Sequence, residues 1–145
     1  MTGPALSLSP GQRLPVVTLE ITKGRVAIAP AATLDQFPGH YDAEYARSVG
    51  HRTVFMNTMP LLGLIDRVVT DWTGEAGFLY RHSIVMRRPT YADTTVHVAG
   101  EVTDVSRVEG PTSWTTGLHV EVDVRIENID GLCAQGSVTV VLRDR

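Results

Sequence analysis

The chain has little sulfur: one cysteine, Cys133, in 145 residues. A single thiol excludes an intrachain disulfide and fits a reducing compartment such as the cytoplasm. The five histidines, at 40, 51, 82, 97 and 119, form no H-x-H or H-x-x-x-H pair and have no cysteine partner at ligand spacing. No metal is therefore expected. Apolar runs stop well short of the ~18 residues a membrane span needs. Charge of neither sign dominates. A net charge of −3 gives a nucleic acid or an anionic membrane no electrostatic hold. Internal repeats, low-complexity tracts and linkers are missing too, so residues 1–145 read as one domain. The opening MTGPALSLSPGQRLP lacks the basic start and apolar core of a signal peptide. Residues 1–15 are expected to be a loose leader.

What is present is an ordinary globular composition, 43% hydrophobic and 20% charged, enough for one sizeable core. Val16 to Ile21 and Arg25 to Ala31 read as two short β runs joined by a Lys23-Gly24 hairpin turn. Asp42 stands where an N-cap belongs, before a short helix closed by Gly50. In NTMPLLGLIDRVVTDWTG the apolar residues Leu61, Leu62, Leu64, Ile65, Val68, Val69 and Trp72 recur at the helical period and cover a broad face. Asn57 or Thr58 can cap that helix, Pro60 is tolerated in its first turn, and Gly74 can end it.

Beyond Gly77 the pattern turns to β. FLYRHSIVMRR predicts one long strand ending at Pro89. TTVHVAGEV puts Val96, Val98 and Val102 in phase, GLHVEVDVRI alternates through Leu118, Val120, Val122, Val124 and Ile126, and SVTVVL closes the chain. A helix so apolar needs a cover, and long strands with hairpin-like links supply a curved antiparallel sheet. The expected fold is α+β: one central helix wrapped by one antiparallel sheet, the hotdog arrangement.

The chemistry is concentrated in LDQFPGHYDAEYA, residues Leu34 to Ala46. Residues five apart on a helix diverge by roughly 140°, so Asp35 and His40 would point apart if this stretch were helical. Pro38 discourages helix at Phe37, and Gly39 permits a sharp bend. The loop can therefore turn both side chains toward one small reactant such as water. At neutral pH a histidine, with an ordinary pKa near ~6.5, can take a proton, whereas an aspartate near ~3.9 needs an apolar site to serve as an acid. Turn chemistry alone is the competing reading, because Asp, Pro and Gly are also common turn residues.

Asp35-Gln-Phe-Pro38-Gly-His40-Tyr-Asp42 with Ala46 resembles the D-x-N-P-x-H-x-D…A signature of MaoC-like, hydratase-2 type (R)-specific enoyl-CoA hydratases. Phe55-Met56-Asn57-Thr58-Met59 and Met86-Arg87-Arg88-Pro89 through Ala92-Asp93 fall where that family has I-x-H-G-M and F-x-x-P-V-x-x-G-D. More narrowly, VFMNTMPLLGLIDRVVTDWTG is similar to the small MaoC-like subunit of actinobacterial steroid side-chain hydratases. The resemblance implies a hotdog fold and syn addition of water across a trans-2-enoyl-CoA. It assigns His40 to deprotonate the water and Asp35 to manage the α-carbon proton. The coenzyme A thioester is the substrate, and no cofactor is implied. It also implies an oligomer, a homodimer or a heteromer with a second MaoC-like subunit. The backbone N–H of Asn57 or Thr58, at the positive end of the helix, is the expected donor to the thioester oxygen. Three positions depart from the family pattern: Phe37 for Asn, Asn57 for Gly, and Leu62 for the Ser of some relatives.

Arg87 and Arg88 are candidates for the coenzyme A phosphates, with solvated strand-end arginines as the alternative. His82 is a candidate lining of the acyl pocket, with a packed or solvated histidine the commoner fate. Cys133 reads as a small core residue, and Trp72 and Trp114 as packing. Two rival functions stay open. A hotdog thioesterase would need a helix-borne acid, and Asp66 lies mid-helix, away from the loop. A non-catalytic, acyl-binding partner subunit would have no chemical need for Asp35 and His40.

Overall fold

A computed structural model of the chain describes residues 8–142. The centre is α3 (Thr58–Thr73), and its apolar stripe does what the periodicity requires. Leu61, Ile65, Val68 and Val69 are at most 1% exposed, each burial removing apolar surface worth roughly 1.5–3 kcal/mol. Gly74, with φ of 55°, ends the helix in a conformation that favours glycine.

Six strands cover that helix: β1 (Val17–Ile21), β2 (Gly77–His82), β3 (Val85–Met86), β4 (Thr94–Val108), β5 (Gly117–Asn128) and β6 (Gly131–Leu142). They form one antiparallel sheet in the order β1-β4-β5-β6-β2, with β3 also on β6. Alternate residues of β4 (Val96, Val98, Gly100, Val102) and β5 (Val120, Val122, Val124, Ile126) face inward and are buried, which is the period-two rule at work. A bulge between Val102 and Asp104 increases local twist and bends the strand. The curled antiparallel sheet around one helix is the hotdog fold expected from the pattern.

Three local expectations are corrected. Lys23-Gly24 does not make a hairpin turn: β1 is followed by α1 (Lys23–Thr33), whose start is capped by Thr22 accepting from the Arg25 N–H at 3.2 Å. Four alanines at 27, 29, 31 and 32 favour helix, and Val26 and Pro30, four residues apart, are its buried positions. The apparent alternation of Val26 and Ile28 is an accident of composition, for Ile28 is exposed. Nor is the leader loose where it is described. Gly11 and Leu14 donate to Val102 and Gly100 carbonyls on β4, Val102 donates to Gln12, and Leu14 is buried; residues 1–7 lie outside the described residues. The strand expected from 78 to 88 is broken into β2 and β3. At the break Ser83 donates to the Ser137 carbonyl, and the Ser83 carbonyl comes so close to Gly136 that a Cβ there would overlap it.

Candidate active site

Helix α1 ends at Leu34 in the left-handed region, φ 57°, uncommon for a non-glycine residue. That turn delivers Asp35 to the mouth of the loop. Pro38–His40 then make a single 3₁₀ turn, and Asp42 caps α2 (Ala43–Ser48) by accepting from Glu44 and Tyr45 N–H at 2.9 and 3.0 Å. Across this tight path Asp35 Oδ2 comes to 3.3 Å from His40 Nε2.

The histidine is held on its other side. Its Nδ1 lies 2.7 Å from the Phe55 carbonyl oxygen. A carbonyl only accepts, so Nδ1 carries a proton, and in the neutral ring Nε2 is left with its lone pair toward Asp35. The rings of Phe37 and Phe55 stand edge-on to the imidazole, with centroids 5.4 and 5.0 Å away. Phe37, one of the three departures from the family pattern, thus sets an aromatic ring beside the imidazole. Gly39 makes room for this: a Cβ there would sit 2.5 Å from Phe37 Cε1 and 3.2 Å from Phe55 Cε1. His40 is 6% exposed, whereas the Asp35 side chain keeps 38% of its surface.

Asp35 is held below the ordinary carboxylate range. The largest cause is the Phe37 N–H, which donates to Oδ1 at 3.3 Å; burial opposes the shift, and the Asn57 amide and His40 add to it. The site therefore favours the ionised form and does not supply the apolar surroundings a standing acid would need. On the outer side of Asp35 an open cleft of about 310 Å³ runs along α1, with Ala27, Ala31, Leu34 and Tyr41 among its walls.

Asn57 occupies the N-cap position of α3, but no side chain caps that helix among the described residues. Its amide turns away, Nδ2 donating to Thr33 Oγ1 at 2.7 Å and to Asp35 Oδ2 at 3.3 Å. The segment carrying Phe55 and Asn57 is fastened in turn. Met56 donates to the Thr90 carbonyl, Ala92 donates to the Val54 carbonyl, and Phe55 bridges Tyr91. Arg52 adds a two-pronged pair with Asp130, at 2.9 and 2.5 Å, and lies over the Tyr91 ring.

The other candidates lie elsewhere. Arg88 donates to the Asp130 carbonyl at 2.9 Å, and Arg87 is exposed beside it at the end of β3. His82 Nδ1 pairs with Asp66 Oδ1 at 2.7 Å. Asp66 is eight residues beyond Thr58, about 12 Å along the helix axis, so this second His–Asp pair is apart from the first. Cys133 is buried, and burial pushes its thiol pKa up. Among the described residues no three acidic, His or Cys side chains are grouped to hold a metal. Sequence reasoning missed Thr33, hidden by the β reading of α1, and the Phe55 carbonyl, which no residue type announces.

The architecture defines a hotdog protein with an Asp–His pair in the segment between α1 and α2. No protein-family model matches the chain. In sequence it is 36% identical, over 75 residues, to the 3-oxo-4,17-pregnadiene-20-carboxyl-CoA hydratase beta subunit of Mycobacterium tuberculosis. Those residues are 52% of this chain and 58% of that subunit, so the match spans less than two thirds of the relative. In structure it is similar to the ChsH1-ChsH2 complex of the same organism, at a TM-score of 0.81 and 27% identity over 93% of this chain and 98% of that one. The (R)-hydratase of A. caviae involved in PHA biosynthesis shares the fold, with a TM-score of 0.79 and 21% identity over 95% and 99% of the two chains. The chain's likeness is therefore to the MaoC-like hydratases.

Proposed function

We propose that this chain is an enoyl-CoA hydratase, run as a dehydratase in reverse. The observation that carries the reading is the approach of His40 Nε2 to Asp35 Oδ2, 3.3 Å apart; with the ring neutral and its proton on Nδ1, both atoms are acceptors. A lone pair and a carboxylate repel unless something donates between them. One water can donate an O–H to each, which leaves an oxygen lone pair free to attack the β-carbon. As the C–O bond forms, Nε2 takes a water proton and the electron pair of the C=C moves onto the thioester as an enolate. Asp35, ionised, stabilises the imidazolium that results. The same proton then goes to the α-carbon from the same face, giving syn addition with atoms and charge balanced. Asp35 manages that proton through the imidazolium it stabilises, not by starting as an acid.

The developing negative charge needs donors, and the first turn of α3 is the source we assign, through the N–H of Asn57 or Thr58. The Asn57 side chain points toward Asp35 and leaves that turn without a side-chain cap. Arg87, Arg88 and His82 are assigned to the coenzyme A and acyl ends on their chemistry; Arg88 donates to the Asp130 carbonyl in the β5–β6 turn and His82 pairs with Asp66 on α3. The reaction is redox-neutral and takes no cofactor. Likeness to a beta subunit and to a two-protein complex supports a partner: a second hotdog chain, or another copy of this one. A steroid side-chain thioester is the substrate class this favours, with a fatty enoyl thioester as the alternative.

The test is affinity purification from the native cell, followed by hydration assays with crotonyl-CoA and a steroid-bearing enoyl-CoA, alone and with whatever hotdog chain co-purifies. Hydration of either substrate supports the proposal. Hydrolysis of a saturated acyl-CoA with no hydration would replace it with the thioesterase reading.

A further inference from the structure

Asn57 is 3% exposed, and among the described residues its carbonyl Oδ1 is buried without a hydrogen-bond partner. The orientation of its amide follows from its neighbours. Thr33 Oγ1 gives its own hydrogen to the Ala29 carbonyl at 2.9 Å, so toward Asn57 it can only accept. Asp35 Oδ2, as a carboxylate oxygen, can also only accept. Both neighbours therefore need Nδ2, at 2.7 and 3.3 Å, and turning the amide over would set oxygen against oxygen. Oδ1 is left with no donor among the described residues. A buried acceptor without a donor is destabilising, and an asparagine at an N-cap position would ordinarily cap its helix, which this one does not.

Resting on the hydratase reading for its catalytic consequence, we infer that Asn57 is a positioning residue of the Asp35–His40 pair. Its amide aims Oδ2 at the imidazole, and the stranded carbonyl is the stability the fold gives up to keep it there. The tie also joins three separate pieces of chain: the end of α1 through Thr33, the catalytic loop through Asp35, and the start of α3. The donor favours the ionised carboxylate, in keeping with the direction in which Asp35 is shifted. The titratable groups around Asp35 are His40, at 3.3 Å, and Tyr41, which shares its cleft; Asn57 itself does not titrate.

The test uses the full chain, with any required partner, and the variants Asn57→Ala and Asn57→Asp. The ¹³C shift of the Asp35 carboxyl is followed by NMR through the acid range, alongside thermal melting and hydration kinetics. In Asn57→Ala the Asp35 titration moves to higher pH, because a donor to its charged form is gone. Asn57→Asp moves it further, because a second carboxylate now faces it. The melting temperature of Asn57→Ala holds or rises, since the stranded oxygen is removed and Thr33 and Asp35 both reach solvent. Turnover falls by about tenfold or more with KM nearly constant, the pattern of an interaction made in the transition state. An unmoved Asp35 titration in both variants would overturn the inference, as would a lowered melting point with unchanged turnover. Absence of hydration by the unaltered protein would remove the proposed function instead, and the NMR titration would still decide the positioning.

Discussion

Replacing His40 by glutamine removes the nitrogen proposed to take the water proton while keeping most of the bulk. The ring it replaces is almost wholly buried between Phe37 and Phe55, so a hole would be costly. His40→Ala would cost on the order of 2–4 kcal/mol, by comparison with other buried large-to-small changes. Gln is close in volume and its amide can still donate to the Phe55 carbonyl, so its cost should stay under about 1.5 kcal/mol. Activity should part company with stability. A positioned general base contributes typically 10²- to 10⁴-fold, which raises the barrier by about 2.7–5.4 kcal/mol. The assay is the loss of conjugated-thioester absorbance at saturating enoyl-CoA, with urea unfolding of the same preparations. Well-folded His40→Gln protein that hydrates within about threefold of the unaltered chain would refute the assignment of the base.

Two other outcomes follow from the packing and the charge. Gly136→Ala forces a methyl against the Ser83 carbonyl, backbone that cannot rotate away, and against Ile65 Cδ1; it should destabilise by about 1–3 kcal/mol, read from the urea midpoint, with the acid dependence of hydration unchanged. Asp35 has a folded pKa below its ordinary value, so its contribution to stability is present above the ordinary carboxylate range and disappears as pH falls through the lowered value. Asp35→Asn lacks that contribution at every pH, so the urea midpoints of the two proteins should converge on acidification, and a gap constant with pH would contradict the shift.

The central helix and the strands of the β half were readable because burial imposes a period on the sequence. Leu61, Ile65 and Val68 recur at 3.6, and Val120 to Ile126 at 2.0. Helix α1 was not, because Pro30 and the spacing of Val26 and Ile28 imitate a strand, while the alanine content and the Thr22 cap that decide the matter are weaker signals. The break between β2 and β3 depends on how closely the Ser83 carbonyl approaches Gly136, a tertiary contact with no local mark. At the site, Asp35 and His40 could be named from the Pro38-Gly39 bend and the resemblance. Their supports could not. Thr33 and the Phe55 carbonyl enter through α1 and through the pairing of Phe55 with Tyr91, both long-range. The same limit hid the ionised state of Asp35, because its strongest cause is a backbone N–H two residues away that only the folded loop presents.

The most direct test is hydration of a trans-2-enoyl-CoA in heavy water by the chain with its co-purifying partner, followed by NMR of the 3-hydroxyacyl product. One water, activated and relayed by Asp35 and His40 from one side, predicts a single deuterium at the α-carbon on the face that receives the β-hydroxyl, and loss of this product with His40→Gln. Anti addition, or product formed equally well by His40→Gln, would contradict it.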